Sequence, residues 1–194
     1  MEACVKEWLR RYREGDPDAL GKLVEFYRRP LFSFLLRMTG SAGEVEDLFQ
    51  EVWFRALRRL DRFRPDNLLG WLFSIAHNLV VDRARRARPT ISLQAQTIPE
   101  GATLEELLEA PGAGPDKQAE LNDLGRHIMA AVERLPFEQR EVFLLRTQAG
   151  MPFKDIAALQ GVSINTALAR MQYALSKLRL LLQKEHAERE WPQP

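Results

Sequence analysis

Cys4 is the only cysteine in 194 residues, so no disulfide can close within the chain and no cluster of thiolates can hold a metal. Histidine is nearly as scarce: His77, His127 and His186 are scattered, and no His/carboxylate pair recurs at ligand spacing. A glycine-rich phosphate loop is missing as well. These absences speak against an enzyme, so no catalytic residue, metal site or cofactor is expected. No apolar run approaches the roughly 20 residues that span a bilayer. The first residues, interrupted by Glu2, Lys6, Glu7, Arg10 and Arg11, do not read as a signal peptide, which points to a cytoplasmic protein without membrane insertion. Convincing strand alternation is absent too, and the expected fold class is all-α.

Charge is sparse in net and abundant in pattern. The overall +1 is made of blocks: −2 over residues 1–54, +6 over 55–88, −5 over 89–120, +4 over 121–184 and −2 over 185–194. Such blocks favour a partner with its own charge pattern over a neutral small molecule.

The apolar spacing divides the chain into two helical domains, 1–88 and 121–184, joined by a flexible acidic linker, 89–120, and followed by a tail, 185–194. The first helix runs from Glu2 to Arg13. A second starts behind Asp16 as N-cap with Pro17 at its first position, and continues to Gly40 with a kink or break expected at Pro30. Ser41 to Gly43 makes the turn into a third helix, 44–60. The loop 64–67 leads to a fourth, Leu69 to Arg88. Four prolines, three glycines and six acids mark the linker, in which Thr103 to Glu109 reads as a turn or two of helix. Helices ending at Leu135, starting at Pro136, spanning Pro152 to Leu159 and running from Ser163 past Leu182 complete the set.

Two segments carry the chemistry. In 44–60, Val45, Leu48, Phe49, Val52, Trp53, Ala56, Leu57 and Leu60 form a buried stripe, which leaves Asp47, Gln50, Glu51 and Phe54 as a second, outward one. Beyond it nine arginines between Arg55 and Arg88 face only Asp61, Asp66 and Asp82. Interleaved with them are Phe63, Asn67, Trp71, Phe73, His77 and Asn78. Single-stranded nucleic acid is held by such mixtures of cation and flat ring, and Asn67 is placed to hydrogen-bond an unstacked base. Trp71 and Phe73 also suit a core, and His77 a surface or cap.

In the second domain Phe153 to Ala167 meets the needs of a helix-turn-helix. Ile156 and Ala157 lie inward, Gly161 permits a left-handed turn, Val162 plugs it and Ser163 caps the next helix. Ile164, Ala167, Met171, Ala174 or Leu175, and Leu178 are expected to pack inward. Asn165, Thr166, Ala169, Arg170, Gln172, Tyr173 and Lys177 face out, as on a major-groove reader.

Four ordered stretches, Val45 to Leu57, Trp71 to Arg86, Leu135 to Arg146 and Phe153 to Ser163, together resemble a bacterial RNA polymerase sigma factor of the extracytoplasmic-function type. The resemblance covers roughly Asp16 to Leu182. It implies a region 2-like bundle in 1–88 and a region 4-like helix-turn-helix in 121–184. Asp47, Gln50, Glu51 and Phe54 would dock on the clamp helices of the largest polymerase subunit. Arg64, Asn67, Trp71, His77, Asn78, Asp82, Arg83, Arg85 and Arg86 would open the minus-ten element and hold its non-template strand. Ser163, Asn165, Thr166, Ala169, Arg170, Tyr173 and Lys177 would read the minus-thirty-five element. The linker would thread toward the polymerase active centre, its acidity mimicking nucleic acid. The flap of the second-largest subunit and an anti-sigma factor are further partners the family implies. Many relatives carry a basic residue and a serine where this helix has Leu168 and Ala169, and more basic residues where it has Gln172 and Tyr173, which leaves Arg170 and Lys177 as the charges on that face within its first four turns. The competing reading is a stand-alone helix-turn-helix regulator, which explains 121–184 but gives the stripe and the arginine cluster no purpose.

Overall fold

The computed structural model describes residues 2–63, 67–86 and 125–190, and everything described is helix or the short turns between helices. The chain divides into two compact units, Met1–Ile98 and Pro99–Pro194. Among the described residues, no helix is long and apolar enough to cross a membrane.

The first unit is a four-helix arrangement: α1 Glu2–Arg13, α2 Pro17–Thr39, α3 Ala42–Leu60 and α4 Leu68–Arg86. Helix α1 packs on α2, and α2, α3 and α4 pack on one another. The α1–α2 turn is built as expected. Asp16 caps α2 by accepting the Asp18 N–H at 3.0 Å, and it also takes Arg11 Nε at 2.8 Å. That guanidinium holds the Asp16 carboxyl below its ordinary range. Helix α2 ends at Gly40, whose N–H returns to the Leu36 carbonyl at 2.8 Å.

Of the kink or break expected at Pro30, the break does not occur: the helix is continuous from Pro17 to Thr39. A proline costs one backbone hydrogen bond and crowds the preceding turn. The buried row that follows it, Leu31, Phe34, Leu35 and Met38, holds the helix in place by offsetting that loss. The centre of the unit is the Phe34–Phe73 stack between α2 and α4, 4.4 Å between ring centroids, with both residues fully buried. Phe73→Ala is therefore expected to destabilise the unit by about 3–5 kcal/mol, the range for a large ring removed from a packed core. Urea unfolding followed by circular dichroism measures it; a loss below about 1 kcal/mol would contradict this packing.

The second unit contains α5 (125–133), α6 Phe137–Thr147, α7 Phe153–Gln160 and α8 Ile164–Glu190, with α6, α7 and α8 in mutual contact. Gly161 sits at φ 65°, and the N–H groups of Gly161 and Val162 return to the carbonyls of Ala158 and Ala157. Ser163 Oγ then accepts the Thr166 N–H at 3.1 Å and so caps α8. Helix α8 extends through the start of the expected tail, to Glu190. The linker 89–120, the helical turn expected in 103–109 and Leu124 lie outside the described residues.

One inward assignment on α8 is corrected: Ile164 is 47% exposed. Of the alternatives Ala174 or Leu175 it is Ala174 that is buried, Leu175 being 49% exposed. At about 100° per residue, Ala167, Ala174 and Leu178 form one edge against α6 and α7, and Ile164 lies about 60° off Ala167.

Candidate functional site

Helix α3 presents the expected outward stripe. Asp47 and Gln50 are exposed, Phe54 is 54% exposed, and Glu51 is half-buried. The carboxylates differ in their surroundings. Glu51 Oε1 accepts Arg55 Nε at 2.7 Å one turn on, whereas Asp47, among the described residues, has neither an ion pair nor a hydrogen bond. Arg58 lies over the Phe54 ring, 4.5 Å from its centroid.

The basic cluster is not a separate surface. Helix α4 packs on α3, so Arg83 reaches back to Glu44 at 3.1 Å, and a shallow depression gathers Asp47, Leu48, Glu51 and Arg55 with Leu79, Asp82 and Arg83. One turn further along lies a groove of about 500 Å³ lined by Glu51, Phe54, Arg55, Arg58 and Arg59 from α3 and by Trp71, Ile75 and Asn78 from α4. Its aromatic side is backed by Phe63, which meets Trp71 at 4.7 Å between centroids. The Phe63 carbonyl is in turn held by Arg13 Nη2 at 2.6 Å, so α1 fixes the end of α3. Chemically the groove offers flat apolar surface, an exposed amide at Asn78 and three guanidinium groups.

Asn67 has a second duty that the sequence reading did not assign. Its Oδ1 accepts the Gly70 N–H at 2.8 Å, which makes it the N-cap of α4. A Cβ at position 70 would stand 2.8 Å from Asn67 Nδ2, so glycine there leaves room for the cap. Asn67→Ala should lower thermal stability by about 1 kcal/mol, and Asn67→Asp, which keeps the accepting oxygen, by much less. Calorimetric melts compare the two; equal losses would remove the cap from the account.

Placement of the other expected residues is mixed. Trp71 is half-buried and lines the groove, and Asn78 and Arg85 are exposed. His77 was expected among the strand-contacting residues but is buried, 7% exposed, beside Ala76 and Leu79. Its place on α4, four residues from Phe73 and three from Val80, turns it toward the core. Phe73 is likewise core. Arg64 lies outside the described residues, as does the side chain of Arg86. Arg55, Arg58, Arg59 and Ile75 line the groove but were not singled out as site residues; the three arginines flank Phe54 on α3, and only the packing of α4 on α3 brings them together with Ile75, Trp71 and Asn78.

On α8, Asn165, Thr166, Tyr173 and Lys177 are exposed as expected, with the Ser163 and Thr166 hydroxyls 2.8 Å apart within the cap. Ala169 and Arg170, expected to face out, are half-buried. The reason for Arg170 is a bond back to α7: its Nη1 donates to Gln160 Oε1 at 2.7 Å.

With this geometry in hand, comparison with known proteins is decisive. Residues 23–90 match Sigma-70 region 2, and residues 126–178 match Sigma-70, region 4. The chain is 28% identical over 181 residues to the ECF RNA polymerase sigma factor SigW of Bacillus subtilis, spanning 92% of this chain and 97% of that one. It is 33% identical over 159 residues to the ECF RNA polymerase sigma factor EcfG of Rhodopseudomonas palustris, covering 81% and 82%. Its fold is similar to that of the sigma factor RpoE solved with the anti-sigma factor NepR from Bartonella quintana, at a TM-score of 0.59 and 23% identity, covering 84% of this chain and 96% of that one. The chain thus belongs to the extracytoplasmic-function sigma factors of the sigma-70 family, and it acts in RNA polymerase initiation rather than as a free-standing helix-turn-helix regulator.

Proposed function

We propose a division of this work among particular residues. Asp47, Gln50, Glu51 and Phe54 dock on the clamp helices of the largest polymerase subunit. The groove beside them, with Trp71 as platform and Arg55, Arg58, Arg59 and Asn78 around it, receives an unstacked base of the minus-ten non-template strand. Arg83 and Arg85, with Arg64 and Arg86, hold that strand's phosphates. The exposed start of α8, residues 163–177, enters the major groove at the minus-thirty-five element. The protein catalyses nothing itself and acts in the cytoplasm, where polymerase works. Residues 1–88 thus form the docking and melting domain, 121–184 the upstream reader, and 89–120 the tether, which runs toward the polymerase active centre. The flap of the second-largest subunit meets the second domain. An anti-sigma factor is a further partner; the likeness of the fold to a sigma factor solved with one supports this.

The observation that carries the reading is the adjacency of the carboxylate stripe and the cation-lined aromatic groove across the α3–α4 seam, which share Glu51 and Phe54. A strand seated in the groove would touch the same helix that grips the enzyme, so docking and strand capture are mechanically joined. Basic side chains supply the sequence-independent attraction, and rings supply the stacking. Run-off transcription with purified core enzyme on genomic fragments tests it. Promoter-dependent product is expected, and its absence on every fragment would overturn the assignment.

A further inference from the structure

We propose that Gln160 is a positioning residue for DNA binding: it holds the Arg170 guanidinium in one pose without cancelling its charge. This rests on the reading of α8 as the duplex-facing helix. Glu141 of α6 is 1% exposed, and a carboxylate can only accept hydrogen bonds. Gln160, the last residue of α7, donates Nε2 to Glu141 Oε2 at 2.7 Å and to the Glu138 carbonyl at 3.2 Å. Its other atom, Oε1, accepts Arg170 Nη1 at 2.7 Å. With an acceptor on one side and a pure donor on the other, the amide has one possible orientation.

The chemistry of the middle residue matters. A carboxylate at 160 would neutralise Arg170 and repel Glu141. An apolar side chain would leave the guanidinium to search its rotamers. An amide transmits the fixed position of a buried anchor and leaves the positive charge available to a phosphate. Among the described residues Arg170 makes no ion pair. Arg170 and Lys177 are the only bases in the first turns of α8, from Ile164 to Leu178, so the order of one guanidinium weighs more here than on a base-rich helix. Holding it in place before contact removes part of the ordering cost of binding.

The test uses the full-length protein and a fluorescent duplex of about 30 base pairs, enriched from a random pool by the wild-type holoenzyme, with anisotropy read across a salt series. Arg170→Ala should reduce the slope of log K against log salt by about 1. Gln160→Leu should weaken binding about three- to tenfold at unchanged slope, because the charge still arrives but must first be ordered. Gln160→Glu should lose both affinity and slope, as Arg170→Ala does. In an Arg170→Ala background Gln160→Leu should have no further effect on affinity. If both Gln160 variants bind like wild type while Arg170→Ala does not, the proposal is overturned and the reading of α8 stands. A Gln160→Leu effect that persists without Arg170, tracking the melting temperature alone, would also overturn it. If Arg170→Ala changes neither affinity nor slope, the reading of α8 itself fails.

Discussion

Changing Asp47 and Glu51 together to lysine should abolish assembly with core RNA polymerase, lowering affinity by at least about a hundredfold, since juxtaposing like charges at an interface costs several kcal/mol. The two positions are one turn apart on α3 and outside the core, so the fold should survive; far-ultraviolet circular dichroism checks this. Their contributions should be unequal. Glu51 already has Arg55 at 2.7 Å, and a basic partner must share it, whereas Asp47 stands unengaged among the described residues. Asp47→Asn alone should therefore weaken assembly more than Glu51→Gln. Titration of labelled protein with core enzyme reads the affinity. A double-lysine variant that assembled and initiated normally would end the docking assignment.

Trp71→Ala carries the second large effect. Stacking of a base on an aromatic side chain contributes about 1–3 kcal/mol, so affinity of the holoenzyme for a single-stranded minus-ten non-template oligonucleotide should fall roughly five- to 150-fold. Core binding, seated on the stripe rather than the groove, should change little. Because Trp71 also packs on Phe63, a control is needed for simple loosening of α4. Trp71→Phe keeps a ring and should recover most of the strand affinity. Anisotropy gives the affinity and permanganate reactivity of unpaired thymines gives the extent of melting. A stable Trp71→Ala protein that bound the strand normally would show that the indole serves packing alone.

Helical spacing carried most of the fold because each helix buries a continuous stripe. Val45, Leu48, Phe49, Val52, Trp53, Ala56 and Leu60 are all buried on α3, and Asp16, Gly161 and Ser163 end or begin helices as their side chains require. Local rules failed where tertiary packing outweighed them. Pro30 stays within α2 because the residues beyond it are deep in the core. His77 is buried because α4 packs on both α2 and α3, which widens its inward face, so the polar character of one residue does not mark a face. The groove was only half visible for a related reason. Trp71 and Asn78 stood out in the arginine-rich segment, but Arg55, Arg58 and Arg59 join them only through the crossing of α3 and α4. The Glu141–Gln160–Arg170 connection was invisible in one dimension, since its members come from three helices.

The bond from Arg13 to the Phe63 carbonyl gives the N-terminal helix a mechanical importance that family boundaries conceal. The Sigma-70 region 2 match opens at residue 23, after α1 has ended. A fragment trimmed to that boundary would keep every docking and stacking side chain yet discard the strut beneath Phe63, leaving the far wall of the strand cradle propped from one side only.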